Sequence, residues 1–148
     1  VIINRAFAVR SETLVDQVQT AIDPLQNAGE GLGIAPIGHV VKVYGVASEA
    51  VNLAFMLTYQ TGWGWEDVKT HVEETVKSYF TELAKAWADQ EQALVVRVSQ
   101  IESRLLAVNG ILDIADTKIN GMAANYELAL DHIPLLGAIT PAAGQTGA

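Results

Sequence analysis

Cysteine is absent from the chain, which excludes disulfide staples and thiolate metal sites. Cations are scarce: Lys and Arg total 9 against 17 Asp and Glu, a formal net charge of −8. Nucleic-acid affinity depends on Lys and Arg neutralising phosphates and releasing counterions, so this balance argues against a nucleic-acid partner. No apolar run reaches the roughly 18 to 20 residues that a helix needs to cross a bilayer, and no charged segment followed by a signal-like apolar stretch opens the chain. Membrane insertion is therefore not expected. Only four prolines occur, and the stretch Asn27 to Gly38 gathers Gly29, Gly31, Gly33, Pro36 and Gly38, the composition of an irregular connector.

What is present suits a packed core. Half of the 148 residues are hydrophobic and 18% are charged, well on the globular side of the order–disorder divide. The opening Val1-Ile2-Ile3, with no Met, reads as the end of a strand in a piece cut from a longer protein. Leu14, Val15, Val18, Ala21, Ile22 and Leu25 recur at helical spacing after Ser11, a candidate N-cap. Asp23-Pro24 then disfavours continuation of the helix. Val40 to Tyr44 and Val51 to Tyr59 predict a hairpin, because Val51, Leu53, Phe55, Leu57 and Tyr59 alternate with smaller or more polar residues.

A turn with Gly62 and Gly64 leads to Glu66 and Asp67, acids suited to a first helical turn. Val68, Val72, Val76, Tyr79, Phe80, Leu83 and Trp87 follow at steps of three and four, predicting a long amphipathic helix. Leu94 to Val98 reads as a short strand. Ser99 and Glu102 have capping-box spacing ahead of Leu105 and Leu106, and Asn109-Gly110 ends that second helix. Ile111 to Ile119 and Met122 to Leu130 flank Asn120-Gly121, the strongest two-residue hairpin sequence. The expected fold is α+β, a mainly antiparallel sheet with one long and one or two shorter helices packed beside it. Residues 1–38 read as the end of a preceding α/β unit plus the connector, 39–139 as a C-terminal α+β domain, and 140–148 as a flexible tail.

The search for chemistry is negative. His39, His71 and His132 are far apart, and no pair has the spacing of two metal ligands on one helix face. His71 with Glu74 reads as a solvated polar face. Gly29-Glu30-Gly31-Leu32-Gly33 lacks the glycine spacing of a dinucleotide loop, and a strand follows it where a helix would be needed. Glu66-Asp67 and Glu73-Glu74 are neighbours facing different ways, and no Gly-x-Ser-x-Gly occurs. No catalytic, metal or cofactor-binding residue is expected. Trp87 reads as core, whereas Trp63 and Trp65, flanking the strand-to-helix turn, read either as lid packing over the core or as anchors of a protein interface.

Several separated blocks carry a family resemblance. Ile22-Asp23-Pro24 followed by Gly29 to Gly38 resembles the baseplate J-like proteins of contractile-tailed phages and phage-derived elements. So do Thr61 to Asp67 before a helix ending Leu83-Ala84-Lys85-Ala86-Trp87, Val95 to Ile101 with Leu105-Leu106, and Asn109-Gly110-Ile111. Asn120-Gly121 with Ala123-Ala124-Asn125, and Ile133-Pro134-Leu135-Leu136-Gly137, complete the match in order. The resemblance implies a non-enzymatic wedge subunit of a tail baseplate, partnered by other baseplate subunits and by copies of itself, in the virion tail and, during assembly, the host cytoplasm. From another class, a carbohydrate- or small-ligand-binding module using Trp63, Trp65 and the glycine-rich loop remains the alternative, with an enzyme accessory domain behind it.

Overall fold

A computed structural model describes residues 2–3, 12–87 and 92–142. The chain divides into two compact units, Val1–Ser48 and Glu49–Ala148.

In the first unit, β1 (Ile2–Ile3) is followed by α1 (Glu12–Ile22), a 3-10 turn at Leu25–Asn27 and β2 (Tyr44–Gly45). β2 pairs parallel with β1, with Ile2 opposite Tyr44 and Ile3 opposite Gly45. The expected cap Ser11 lies outside the described residues. Helix α1 stops at Ile22 as Asp23-Pro24 predicts, and the connector folds back onto its C-terminus, where Ile34 N–H donates to Ala21 O (3.1 Å) and Ala35 N–H to Ile22 O (2.9 Å). Carbonyls that every helix end leaves open are satisfied in this way.

The predicted pairing of Val40–Tyr44 with Val51–Tyr59 does not form. Two buried side chains at the end of α1 take the backbone groups such a hairpin needs. Asp23 Oδ2 accepts the Val41 N–H (2.8 Å), Gln19 Oε1 accepts the Val43 N–H (2.6 Å), and Gln19 Nε2 donates to Val41 O (2.6 Å). Those Val41 and Val43 N–H groups are not available to a ladder, and within this segment the strand pairing observed is that of Tyr44, with Gly45, to β1.

The second unit is built on β3 (Ala47–Tyr59), the middle strand of the order β5-β3-β7. Its alternation is realised: Val51, Leu53, Phe55, Leu57 and Tyr59 are buried. A long helix, α2 (Trp65–Ala86), buries Val68, Val72, Val76, Tyr79, Phe80 and Ala84. The two-residue strand β4 (Val95–Val96) precedes α3 (Val98–Leu106), which buries Ile101 and Leu105. Helix α2 packs against β7 (His132–Ala142) and α3, and α3 also packs against β5 (Ile111–Ile119). Strand β5 runs antiparallel to β3, with Leu53 opposite Ile119 and Leu57 opposite Ile114. The fold is α+β with mostly antiparallel pairing, as the sequence pattern implies.

Strand β5 departs from simple alternation, since Ile111, Ile114, Thr117 and Ile119 are its buried positions. Register shifts opposite Ala54–Met56 and a left-handed Asp116 (φ 52°) account for it, because a bulge inserts a residue and re-aims those that follow. The Asn120-Gly121 turn has positive φ at both residues, 49° and 81°. Ile119 and Met122 exchange both backbone bonds, at 2.9 and 3.0 Å. Beyond that bridge the predicted hairpin ends. The next strand, β6 (Tyr126–Glu127), pairs antiparallel with β4 instead, drawn there by buried Leu128, whose N–H reaches Leu94 O at 2.9 Å.

The Ser99–Glu102 capping box is absent as well. Ser99 lies inside α3, and the Val98 N–H goes to Asn125 Oδ1 (3.0 Å) while the Arg97 N–H goes to the Tyr79 hydroxyl (3.1 Å). Distant side chains have replaced the local cap.

Both φ values of the Asn120-Gly121 turn lie where a β-branched residue is strained. Gly121→Val should therefore destabilise the fold by on the order of 1 kcal/mol or more. The expected result is a lower urea midpoint at unchanged m-value.

Candidate functional site

The two tryptophans singled out by the sequence sit on the turn that carries β3 into α2. Trp63 N–H donates to Gln60 O (3.0 Å), and Gln60 N–H reaches across to Gly110 O (2.9 Å), fastening this turn to the one that follows α3. The Trp63 indole lies against Gly110, so closely that a Cβ there would collide with the ring. Gly110 also holds φ 95°. Trp63 thus rests on a glycine seat and remains 38% exposed. Next along the turn, Gly64 starts α2, its N–H held by Asp67 Oδ2 at 2.8 Å. An acid at this position also complements the helix dipole.

Trp65 is half-buried at the head of an open groove of about 390 Å³, lined by Lys69, Glu73 and Lys77 of α2 and by Leu136 to Ile139 of β7. Trp65, Lys69, Glu73 and Lys77 follow one another at four-residue steps and so share a helix face. Trp63 does not line this groove. Trp87, expected in the core, is half-buried just past the end of α2.

Among the described residues no group of three or more His, Asp or Glu side chains is placed to hold a metal. His71 stands exposed with Glu74 Oε2 at 3.8 Å, His39 is exposed, and half-buried His132 directs Nδ1 at Leu130 O, 2.9 Å away. In the glycine-rich loop the Gly29 N–H is bound to Asp23 Oδ1 at 2.9 Å, so a carboxylate already occupies a donor that an anion nest would offer.

Sequence reasoning missed three structural clusters. Asp23, 1% exposed, and Gln19 organise the connector; the Asp-Pro pair identified the helix stop but not the carboxylate's second role. Arg104 grips Glu82 in a two-pronged pair (3.2 and 2.6 Å), with its guanidinium 4.8 Å above the Tyr79 ring, tying α3 to α2. That bond holds the Glu82 carboxyl below its ordinary range and raises Arg104. Glu49 accepts hydrogen bonds from the Tyr126 hydroxyl and from the Ala129 N–H (3.0 Å), bringing the segment around β6 to the start of β3. The Tyr126 hydrogen bond, then that of Ala129, lowers the Glu49 pKa, and the same bond to Glu49 raises Tyr126. No local periodicity marks partners so far apart.

These groups tie elements together and present side chains; the acids are engaged by donors of the fold itself. Against known proteins, residues 51–142 match the family model described as the baseplate J-like protein C-terminal domain. The chain belongs to the baseplate J-like family. That match spans the second unit from the buried half of β3 to the end of β7. Over 139 residues the chain is 32% identical to the uncharacterized protein YqbT of Bacillus subtilis (strain 168), covering 94% of this chain and 38% of that protein. It is 30% identical, with the same coverage, to the phage-like element PBSX protein XkdT of the same organism. The baseplate J-like chain described here thus spans 38% of the length of these curated relatives.

A lowered carboxylate pKa stabilises the fold above the ordinary glutamate range, and that contribution is lost as pH falls through the folded-state value. In Glu49→Gln the acid limb of a stability–pH curve should be shallower than in the parent chain. Chemical denaturation across a pH series reads the difference.

Proposed function

We propose that this chain is part of a structural baseplate subunit, a wedge component of a contractile phage or prophage tail, that works through protein–protein assembly and not through catalysis. The observation that carries the reading is the family match across the whole helix-and-sheet unit, joined to a tryptophan seated on Gly110 with its remaining surface open. Large aromatic side chains on a fixed base are the usual anchors of an interface, because little conformational freedom is lost when a partner covers them. Partners under this reading are other tail subunits, copies of this chain among them. The site of action is the tail baseplate, reached after assembly in the host cytoplasm.

Residues 1–38 would then close a preceding α/β unit. The parallel β1–β2 pair supports a preceding unit, since two parallel strands of two residues each do not make a stable sheet alone, but β2 (Tyr44–Gly45) lies past residue 38 and within the compact unit Val1–Ser48. Residues 39–139 would form the C-terminal domain and 140–148 a tail, although β7 itself runs to Ala142. A ligand-binding role finds less support. The groove beside Trp65 is open, whereas small-molecule sites are concave and bury most of their ligand.

Trp63→Ala with Trp65→Ala, introduced into the full-length protein in a producing strain, should leave a soluble, folded subunit and few assembled tails. Loss of a true anchor costs about 2 kcal/mol or more of binding, roughly thirty-fold in affinity. Circular dichroism of the purified subunit checks folding, and negative-stain counts check assembly. Since Trp65 is half-buried, Trp63→Ala alone serves as the milder arm. Normal tail numbers in both arms would remove the tryptophans from the interface.

A further inference from the structure

Basic side chains are scarce in this chain, nine in all, and two of them line the groove headed by Trp65. Lys69 and Lys77 are exposed, and Glu73 between them is half-buried. Among the described residues neither lysine is ion-paired with a carboxylate, not even with Glu73 four positions away. Their charges are therefore open to a partner. The opposite wall, Leu136 to Ile139 of β7, is low and fixed. Gly137 and Ala138 carry at most a methyl group, Asn52 Oδ1 accepts the Ala138 N–H (2.9 Å), and a Cβ at Gly137 would collide with that same oxygen.

Along one helix face the groove thus presents an aromatic, a positive, a negative and a positive group in turn. Each step of four residues advances about 6 Å on the helix. Two residues of an extended chain advance about 6.7 Å and point to the same side. An extended segment laid along α2 can therefore match the helix step for step, with an apolar group at Trp65, acids at Lys69 and Lys77 and a base at Glu73. The mismatch over three steps, about 2 Å, is within the reach of a lysine side chain. A helix, about 10 Å across, is too wide for an open groove of about 390 Å³.

We propose that the groove between α2 and β7 holds an extended segment of another tail subunit, in which an acid, a base and an acid occupy alternate positions. The segment comes from outside this chain, because no Lys or Arg among the 148 residues has an acid two positions away on both sides. With the β7 wall already fixed, little ordering is needed on this side of the contact. The assignment rests on the assembly reading and adds to it the chemistry of the partner at Trp65.

Nuclear magnetic resonance titration of the 148-residue chain with the end-blocked peptide Leu-Ser-Asp-Ser-Lys-Ser-Asp-Ser-Leu is the test; its charge pattern is the same in both directions. Amide shifts should concentrate at Lys69, Lys77, Gly137 and Ala138. Binding should be roughly ten-fold tighter than for the charge-reversed Leu-Ser-Lys-Ser-Asp-Ser-Lys-Ser-Leu, as expected when three exposed charge pairs change sign. Long-range attraction to a chain of net charge −8 favours the reversed peptide, so a preference for the first must come from the groove. Lys69→Glu, Glu73→Lys and Lys77→Glu together should invert that preference. Lys69→Glu alone, at an exposed position, should weaken binding of the first peptide, and it keeps the test decisive if the triple variant does not fold. No binding, equal affinity for the two peptides, an affinity indifferent to these substitutions, or shifts centred elsewhere would each overturn the proposal. All of these are read on the isolated chain, whereas tail counts of the tryptophan variants read assembly, so the two readings fail separately.

Discussion

Everything in the second unit hangs on the buried stripe of β3. Five side chains from Val51 to Tyr59 point to one side, and each fully buried aliphatic or aromatic group of this kind contributes about 1.5–3 kcal/mol relative to exposure. The stripe fixes register, since a slip of one residue would turn all five to the opposite face. It also sets where β5 and β7 pair and which side the helices must cover. An eleven-residue β7 and a bulged β5 flank it, so β3 is the strand with a neighbour on either side.

Where regular pairing ends, side chains take over the backbone's hydrogen bonds. Asn52 Oδ1 receives the Ala138 N–H (2.9 Å), Asn120 Oδ1 receives the Asn52 N–H (2.8 Å), and Asn125 serves the first turn of α3. In the first unit Asp23 and Gln19 do the same for the connector. In the connector, where these bonds are buried or part-buried, an N–H left without a partner would cost more than an average hydrogen bond gives, so Asp23 and Gln19 decide which irregular path the chain follows there.

That division explains what could be read from sequence. β3 and α2 were legible because their signals are local: alternation every second residue in one, apolar steps of three and four in the other. The Asn120-Gly121 turn was legible for a similar reason, its backbone demand being met by two adjacent residue types. What failed depended on partners far away. Glu49 and Tyr126 are 77 positions apart, and nothing near Tyr126 announces that its segment will leave β5 for β4. The Val40–Tyr44 hairpin and the Ser99 cap looked sound locally and lost to Asp23, Gln19 and Asn125, whose reach only the folded chain reveals. At the candidate site, the choice of Trp63 and Trp65 was available from sequence, but the Gly110 seat beneath Trp63 was not, because it joins two turns separated by α2 and α3.

The placement of charge follows the same logic. Asp23, Glu49, Asp67 and Glu82 are used as acceptors for N–H, O–H or guanidinium donors of the fold, and the acids as a whole, 17 against 9 basic residues, give the chain its long-range negative field. Such a field opposes the close approach of like-charged copies. The acids of the first kind shape turns: Asp67 fixes the start of α2 beside Trp63, and Asp23 fixes the loop that carries Ile37 and Val40. A change at Asp23 would thus act on side chains that the residue itself never touches, by freeing the Gly29 and Val41 N–H groups and letting the connector spread over many conformations.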